Sequence, residues 1–380
     1  MRLLLRGSAP RWLTPVLMLL AVGITFGLTA GPIRLAGANP LAAYERYVIT
    51  PFTTSHSVFE VLLASTPLMF TGLAVLVAFR SGYFNIGAEG QFLTGAIAAT
   101  WVGMGWSTLP AWAALILGLL AGAVAGALWG TVPALLRVRF DIDEVVTTLL
   151  LNPVALLIVQ GLLNGPWRNP TSQFPESTPI GAGYELPRIL SGSRVHAGFV
   201  VAVLLAVVLW LVLTRTPLGM TMRAVGLSRL AASFAGINVE RTLFGAALTS
   251  AGIAGLGGAV QVMGLQHQLT GEISSGFGYT GIVVATLAAL SVPAALAVAV
   301  LLADITVGAE SAARALQLPP QMGRVLTATL LLVTVSVLVF RRYRLALPAR
   351  WRLGAPGQDA ATPESVPAQG VIAADKEATG

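Results

Sequence analysis

Apolar stretches about as long as a bilayer is thick recur along this chain, and they limit its fold more than any other feature. They run at about 12–30, 59–79, 84–104, 110–136, 145–163, 196–213, 243–262, 277–290, 292–308 and 325–340. Only Ser291-Val292-Pro293 separates the eighth from the ninth. Composition points the same way. Apolar residues make up 55% of the 380 residues and charged ones only 10%, against roughly 25% charged in an ordinary globular chain. Too few polar side chains remain to cover a water-soluble globule. The sequence predicts an all-α polytopic membrane protein with about ten transmembrane helices, embedded in the lipid bilayer of the plasma membrane. Residues 1–345 are expected to form the transmembrane domain.

The first stretch follows Arg2, Arg6 and Arg11 and contains Leu28-Thr29-Ala30, a passable cleavage site. Its length exceeds the roughly 7–15 residues of a signal-peptide core, so a retained signal-anchor helix is expected. Basic residues set the orientation. With the N-terminus inside, sixteen fall on inner segments and seven on outer ones, which predicts both termini in the cytoplasm. Two outer loops, about 31–58 and 164–195, are long. The second carries Pro166, Pro170, Pro175, Pro179 and Pro187 among Ser, Thr and Gly, and reads as ordered turns. Residues 346–380 form a cytoplasmic tail, rich in Ala, Pro, Gly and acids from Gly354 and expected to be mostly disordered.

The formal charge of +7 gathers at span ends and gives no nucleic-acid signal. All 23 basic residues are Arg except Lys376, which leaves no P-loop lysine after glycines. Cysteine is absent, and His56, His196 and His267 lie far apart. No catalytic residue, metal site or cofactor is expected.

Gly118, Gly122, Gly126 and Gly130 recur every four residues along one span. Such a smooth stripe lets a second backbone approach closely, either within the chain or across a subunit interface. Asn152-Pro153 lies eight residues beyond Glu144, about 12 Å into the bilayer. Pro153 cannot donate to the carbonyl of Leu149, which suits either a broken-helix pathway or a polar packing contact. The segment Arg80 to Gln91 places three glycines, Asn85, Glu89 and Gln91 inside an otherwise apolar hairpin. Irregular backbone at depth is tolerated only inside protein or beside a water-filled cavity. It reads as a conduit or hinge, or as a polar turn at the inner surface; Asn85, Glu89, Gln91 and Asn152 are the candidate pathway residues. In the long inner loop Thr214–Thr242, Ala224, Leu227, Leu230, Ala231 and Phe234 recur at helical spacing, with Arg223 and Arg229 off the stripe. This short apolar face suits docking into a partner better than insertion into lipid.

Phe84-Asn-Ile-Gly-Ala-Glu-Gly-Gln91, Glu144-Val-Val-Thr-Thr-Leu-Leu-Leu-Asn152 and Leu218-Gly-Met-Thr-Met-Arg-Ala-Val-Gly226, followed by Ala231-Ala232 and Ala235-Gly-Ile237, resemble permeases of ABC importers. The nucleoside and simple-sugar branch, related to ribose and branched-chain amino-acid permeases, is the nearest match, over roughly 40–345. The resemblance implies about ten helices in two inversely related halves, facing a second permease subunit in a heterodimer. It also implies a separate cytoplasmic ATPase and an extracytoplasmic binding protein. It assigns ATPase coupling to the 223–236 region, with Gly219, Arg223, Ala224, Gly226, Ala231, Ala232 and Gly236 as the residues involved. Thr280 stands where the family often has Asp, and Leu287-Ala-Ala-Leu290 lacks a glycine often found there, so the solute stays open among nucleosides, ribose-like sugars and related compounds.

An ion-coupled secondary transporter is the alternative. It would want midplane carboxylates, for which only Glu89 and Asp304 qualify. An intramembrane enzyme has no catalytic constellation to support it.

Overall fold

The computed structural model describes residues 2–5, 12–106, 109–319 and 321–346. Most of the expected tail, from 347 onward, lies outside the described residues. Among the described residues the named elements are helical, apart from one short antiparallel ribbon in which β1 (Arg2–Leu5) pairs with β2 (Tyr343–Ala346). The helices are α1 (Leu13–Leu35), α2 (Pro40–Val48), α3 (Ser55–Arg80), α4 (Ala88–Gly105), α5 (Ala111–Phe140), α6 (Glu144–Asn164), α7 (Ala197–Arg215), α8 (Pro217–Leu227), α9 (Arg229–Phe234), α10 (Val239–Gln261), α11 (Phe277–Leu287), α12 (Val292–Leu316) and α13 (Met322–Arg342).

Polar side chains set several starts. Thr54 accepts from the Ser57 amide at the head of α3, Asp143 from Val145 at α6, and Asn238 from Arg241 at α10. Each satisfies an amide that the first helical turn leaves without a partner.

Among the described residues, seven helices are long and apolar enough to cross a membrane: α1, α3, α5, α6, α7, α10 and α12. The other three apolar stretches also fold as helices. In α4, Glu89, Gln91 and several glycines dilute the apolar content. At 21 residues, α13 is as long as α6. The stretch expected at 277–290 is helical over only part of its length. At 11 residues, α11 rises about 16 Å, roughly half of the 30 Å hydrocarbon core. Ala289 and Leu290 then turn left-handed, at φ 49° and 59°, and end it.

The core is organised around α3, whose apolar window is 89% buried. It packs against α10, α11 and α12. On its far side α10 packs against α4 and α5, while α1 pairs with α13 at the periphery. The four glycines of the α5 stripe are all buried, Gly122, Gly126 and Gly130 against α10 and Gly118 against Met263 in the turn that follows it. A Cβ on Gly126 would lie 2.7 Å from the Gly255 Cα, and one on Gly118 would lie 2.7 Å from the Met263 sulfur. The stripe is a contact within the chain. It faces the small residues Ala251, Gly255 and Ala259, so the two backbones run close.

The 164–195 loop folds as ordered turns against the segment after α10. Ser177 N donates to Leu269 O and Ile180 N to His267 O, both at 2.9 Å. A π-helical turn at Val262–Gln266 and left-handed His267 bend the end of α10. From there the chain runs to the first turn of α11, beside Glu89.

Candidate functional site

Between α3 and α4 the chain leaves the helix at Ser81 and resumes it at Ala88. Backbone amides in such a gap need acceptors inside the protein. The sequence supplies them from α6, where Glu144, Thr148 and Asn152 are spaced four apart and therefore share one face. Phe84 N donates to Glu144 Oε1 at 3.3 Å, Ile86 N to Thr148 Oγ1 at 3.2 Å, and Gly90 N to Asn152 Oδ1 at 2.9 Å. Asn152 Nδ2 donates in return to Ile86 O at 2.9 Å and to the Tyr279 hydroxyl at 3.2 Å. The gap is laced to α6 like a strand to its neighbour.

The four residues singled out from the sequence gather here, all buried. Asn85 Nδ2 donates to Gln91 Oε1 at 2.8 Å and to Ser250 Oγ of α10 at 2.9 Å; Asn85 Oδ1 accepts from Gly87 N at 2.9 Å. Asn85, Gln91 and Asn152 thus spend their polar atoms inside the chain and brace the segment rather than present themselves to water. Glu89 differs, because its Oε2 accepts the Gly278 amide of α11 at 2.7 Å. A carboxylate there meets the positive end of the α11 dipole. Gly278 is required at that point, since a Cβ would run into the Glu89 backbone. Asp304, the other carboxylate at depth, lies buried in α12, with neither oxygen partnered among the described residues.

The inner loop folds as two helices rather than one. Ser228 stands between them, and its hydroxyl accepts from Ala231 N at 3.2 Å to start α9. Leu227, Leu230 and Phe234 are 78%, 70% and 84% exposed. Ala231 and Arg223 are exposed with them, and Ala224 is half-buried. Gly219, Gly226 and Ala232 face their own chain. Gly219 packs on the backbone of Leu213 at the end of α7, and Gly226 on the carbonyl of Arg80. Ala232 is buried in a cluster with Tyr83, Val225 and Leu243. Gly236, left-handed at φ 80°, ends α9.

Sequence reasoning missed the role of Glu144. Its side chain is only 6% exposed, yet it holds Arg137 Nε at 2.9 Å and lies 3.5 Å from Arg229 Nη2. Arg137 also reaches exposed Asp141 at 2.6 Å. Burial, reinforced by the Glu144 charge, raises the neighbouring Tyr83 phenol above its ordinary value, against the opposing pull of Arg137, and keeps it neutral. The spacing of Glu144, Thr148 and Asn152 was the available signal.

The chain matches the branched-chain amino acid transport system / permease component family over residues 57–335. A glucose ABC transporter permease of Haloferax volcanii is 35% identical over 90% of this chain and 92% of its own length. A guanosine ABC transporter permease of Bacillus subtilis is 32% identical over 84% and 93%. A nucleoside ABC transporter permease of Lactococcus lactis is 29% identical over 82% and 88%. No solved structure matches. The chain therefore belongs to this permease family: it is a multi-pass subunit of a plasma-membrane ABC transporter, not an enzyme, and it works with an ATPase and a substrate-binding protein.

Proposed function

We propose that this chain and a second permease subunit, most simply a non-identical one, enclose the pathway of an importer for a nucleoside or a simple sugar, with ATP hydrolysed on a separate subunit. The solutes of the relatives' permeases, glucose, guanosine and nucleosides, support that solute class. The packing around α3 supports a shared pathway, since a pore through one chain would have to displace its most buried helix. The wall of the pathway is the segment from Ser81 to Gln91 together with the half-length α11, and Asn85, Gln91 and Asn152 brace it from behind. Broken helices of this kind build sites in other transporters. Ten crossings in two inversely related halves, α4, α11 and α13 among them, complete the arrangement. The pairing of β1 with β2 supports two termini on one side, and the Arg bias supports the cytoplasm as that side.

The observation that carries the coupling is the exposed face of Leu227, Leu230 and Phe234 beside Arg223. Three large apolar side chains on two short inner helices have no cover in this chain, and a contiguous exposed apolar patch marks an interaction site. The ATPase docks there. In proteoliposomes holding the assembled transporter, ATP should drive uptake of a nucleoside or sugar that the binding protein delivers. Leu230→Asp should release the ATPase and abolish uptake without lowering the amount of permease in the membrane. Normal ATPase association in that variant would remove the docking face. Ala232→Asp is a poorer test, because Ala232 is buried and a charge there would disturb folding first.

A further inference from the structure

We propose that Arg229 and Glu144 form a relay that makes the Ser81–Phe84 turn move with the ATPase-docking helices. This rests on the reading that α8 and α9 dock the ATPase. Arg229 sits in the first turn of α9 and reaches away from the exposed apolar face. Its Nη2 donates to Gly82 O at 2.9 Å and lies 3.5 Å from Glu144 Oε1. The same Glu144 oxygen accepts Phe84 N at 3.3 Å. One guanidinium and one carboxylate therefore grip the turn at two points two residues apart, one through a carbonyl and one through an amide. The backbone adds a third contact. A Cβ on Gly82, left-handed at φ 78°, would lie 3.2 Å from the Gly226 Cα, and Gly226 in turn packs on the Arg80 carbonyl.

Burial makes this grip stiff. Glu144 is almost wholly out of water, whereas the Arg229 side chain is 37% exposed. A carboxylate in that position loses much if a cation withdraws, because little solvent replaces it. Arg137 holds the other oxygen at 2.9 Å and fixes Glu144 to the end of α5. A shift of α9 therefore either strains the Arg229 contacts or takes the turn with it. Beyond the turn lie Asn85, bonded to α10, and Glu89, bonded to the amide of Gly278 at the start of α11. The contacts run without a gap from the docking face to the half-length helix. Arg229 and Glu144 are positioning residues and touch no substrate.

The test uses the assembled transporter, with both permeases, the ATPase and the binding protein, in lipid vesicles. Arg229→Gln removes the charge from a partly exposed position and leaves Arg137 to hold Glu144. Expected are normal ATPase co-purification, ATP hydrolysis that continues, and uptake per ATP lowered about two- to thirtyfold. Arg229→Lys should recover part of the loss, since an ammonium can still reach the Gly82 carbonyl or the Glu144 carboxylate. A second readout is one that weakened folding would not move. In this Cys-free chain, a cysteine introduced at half-exposed Phe84 should change its maleimide labelling rate when the ATPase is trapped with ATP and vanadate. Arg229→Gln should erase that change. Normal uptake per ATP in Arg229→Gln, or an unaltered labelling change, would overturn the relay. So would loss of the ATPase from Arg229→Gln, which would make Arg229 a docking contact instead. Leu230→Asp separates the two readings: if it retains the ATPase, the docking face fails. If it releases the ATPase while Arg229→Gln stays coupled, only the relay fails.

Discussion

Asn152 accepts the Gly90 amide and donates to the Ile86 carbonyl, so one side chain closes both sides of the α6 contact with the irregular segment. Replacement by Leu, similar in size, leaves a buried donor and a buried acceptor unpaired, at about 1–3 kcal/mol each. Asn152→Leu should therefore lower the thermal stability of the purified protein by about 2 kcal/mol or more. Asn152→Asp should not rescue it. A carboxylate can still accept from Gly90, but it faces the Ile86 carbonyl with a second acceptor. Equal stability of wild type and Asn152→Asp in a thermal unfolding series would show that the Ile86 contact contributes nothing. The sequence marks Asn85, Glu89, Gln91 and Asn152 because polar atoms stand out in apolar runs. What it cannot mark is their partners. Phe84, Ile86 and Gly90 pair with residues 60 to 62 positions away, and Glu89 with one 189 away. Hence a pathway and a brace look alike in one dimension.

Among the helices, α5 was legible and α11 was not. A glycine every fourth residue on α5 needs a close backbone whichever helix supplies it. The partner was also written in the sequence, since Ala247, Ala251, Gly255 and Ala259 repeat at the same spacing along α10. Space decides which glycines matter. A side chain on Gly126 would strike the Ala251 carbonyl and lie 2.7 Å from the Gly255 Cα, whereas Gly161 of α6 has nothing within 4 Å. Gly126→Val should force the helices apart and cost about 1–3 kcal/mol or more. Gly161→Ala should be neutral or gain up to about 1 kcal/mol of helix propensity. Matched melting curves of the two variants in detergent check this, and equal melting temperatures would refute the packing argument. The α11 region misleads for a physical reason. Its composition is as apolar as a span, and its break falls at Ala289 and Leu290, which carry no Gly or Pro signal. Depth is set instead by the loop before α11 and by the Gly278 contact with Glu89, neither of which hydropathy records.

At the scale of the whole molecule, β1 and β2 meet. Arg2 pairs with Ala346 and Leu5 with Tyr343, which supports the proposed placement of both strands on one side of the membrane. If the seven long helices all cross, β1 and β2 can share one side only when an odd number of α4, α11 and α13 cross as well. Counting α4, α11 and α13 as crossings brings the total to ten and meets that condition. The inner face then carries β1, β2, α8 and α9, and the outer face carries the 164–195 turns. Side-specific labelling tests this in the Cys-free background. Exposed Gln173 and Ser233 are the better positions for single cysteines, because Ser172 is half-buried and the Ser228 hydroxyl caps α9. A membrane-impermeant maleimide added to intact cells should label a cysteine at Gln173 and leave one at Ser233 unlabelled until the membrane is opened. A third cysteine, in the ribbon at Leu3, should behave like Ser233. Labelling of Leu3 and Gln173 together from outside would mean that α4, the one of these three helices that lies between them in sequence, does not cross.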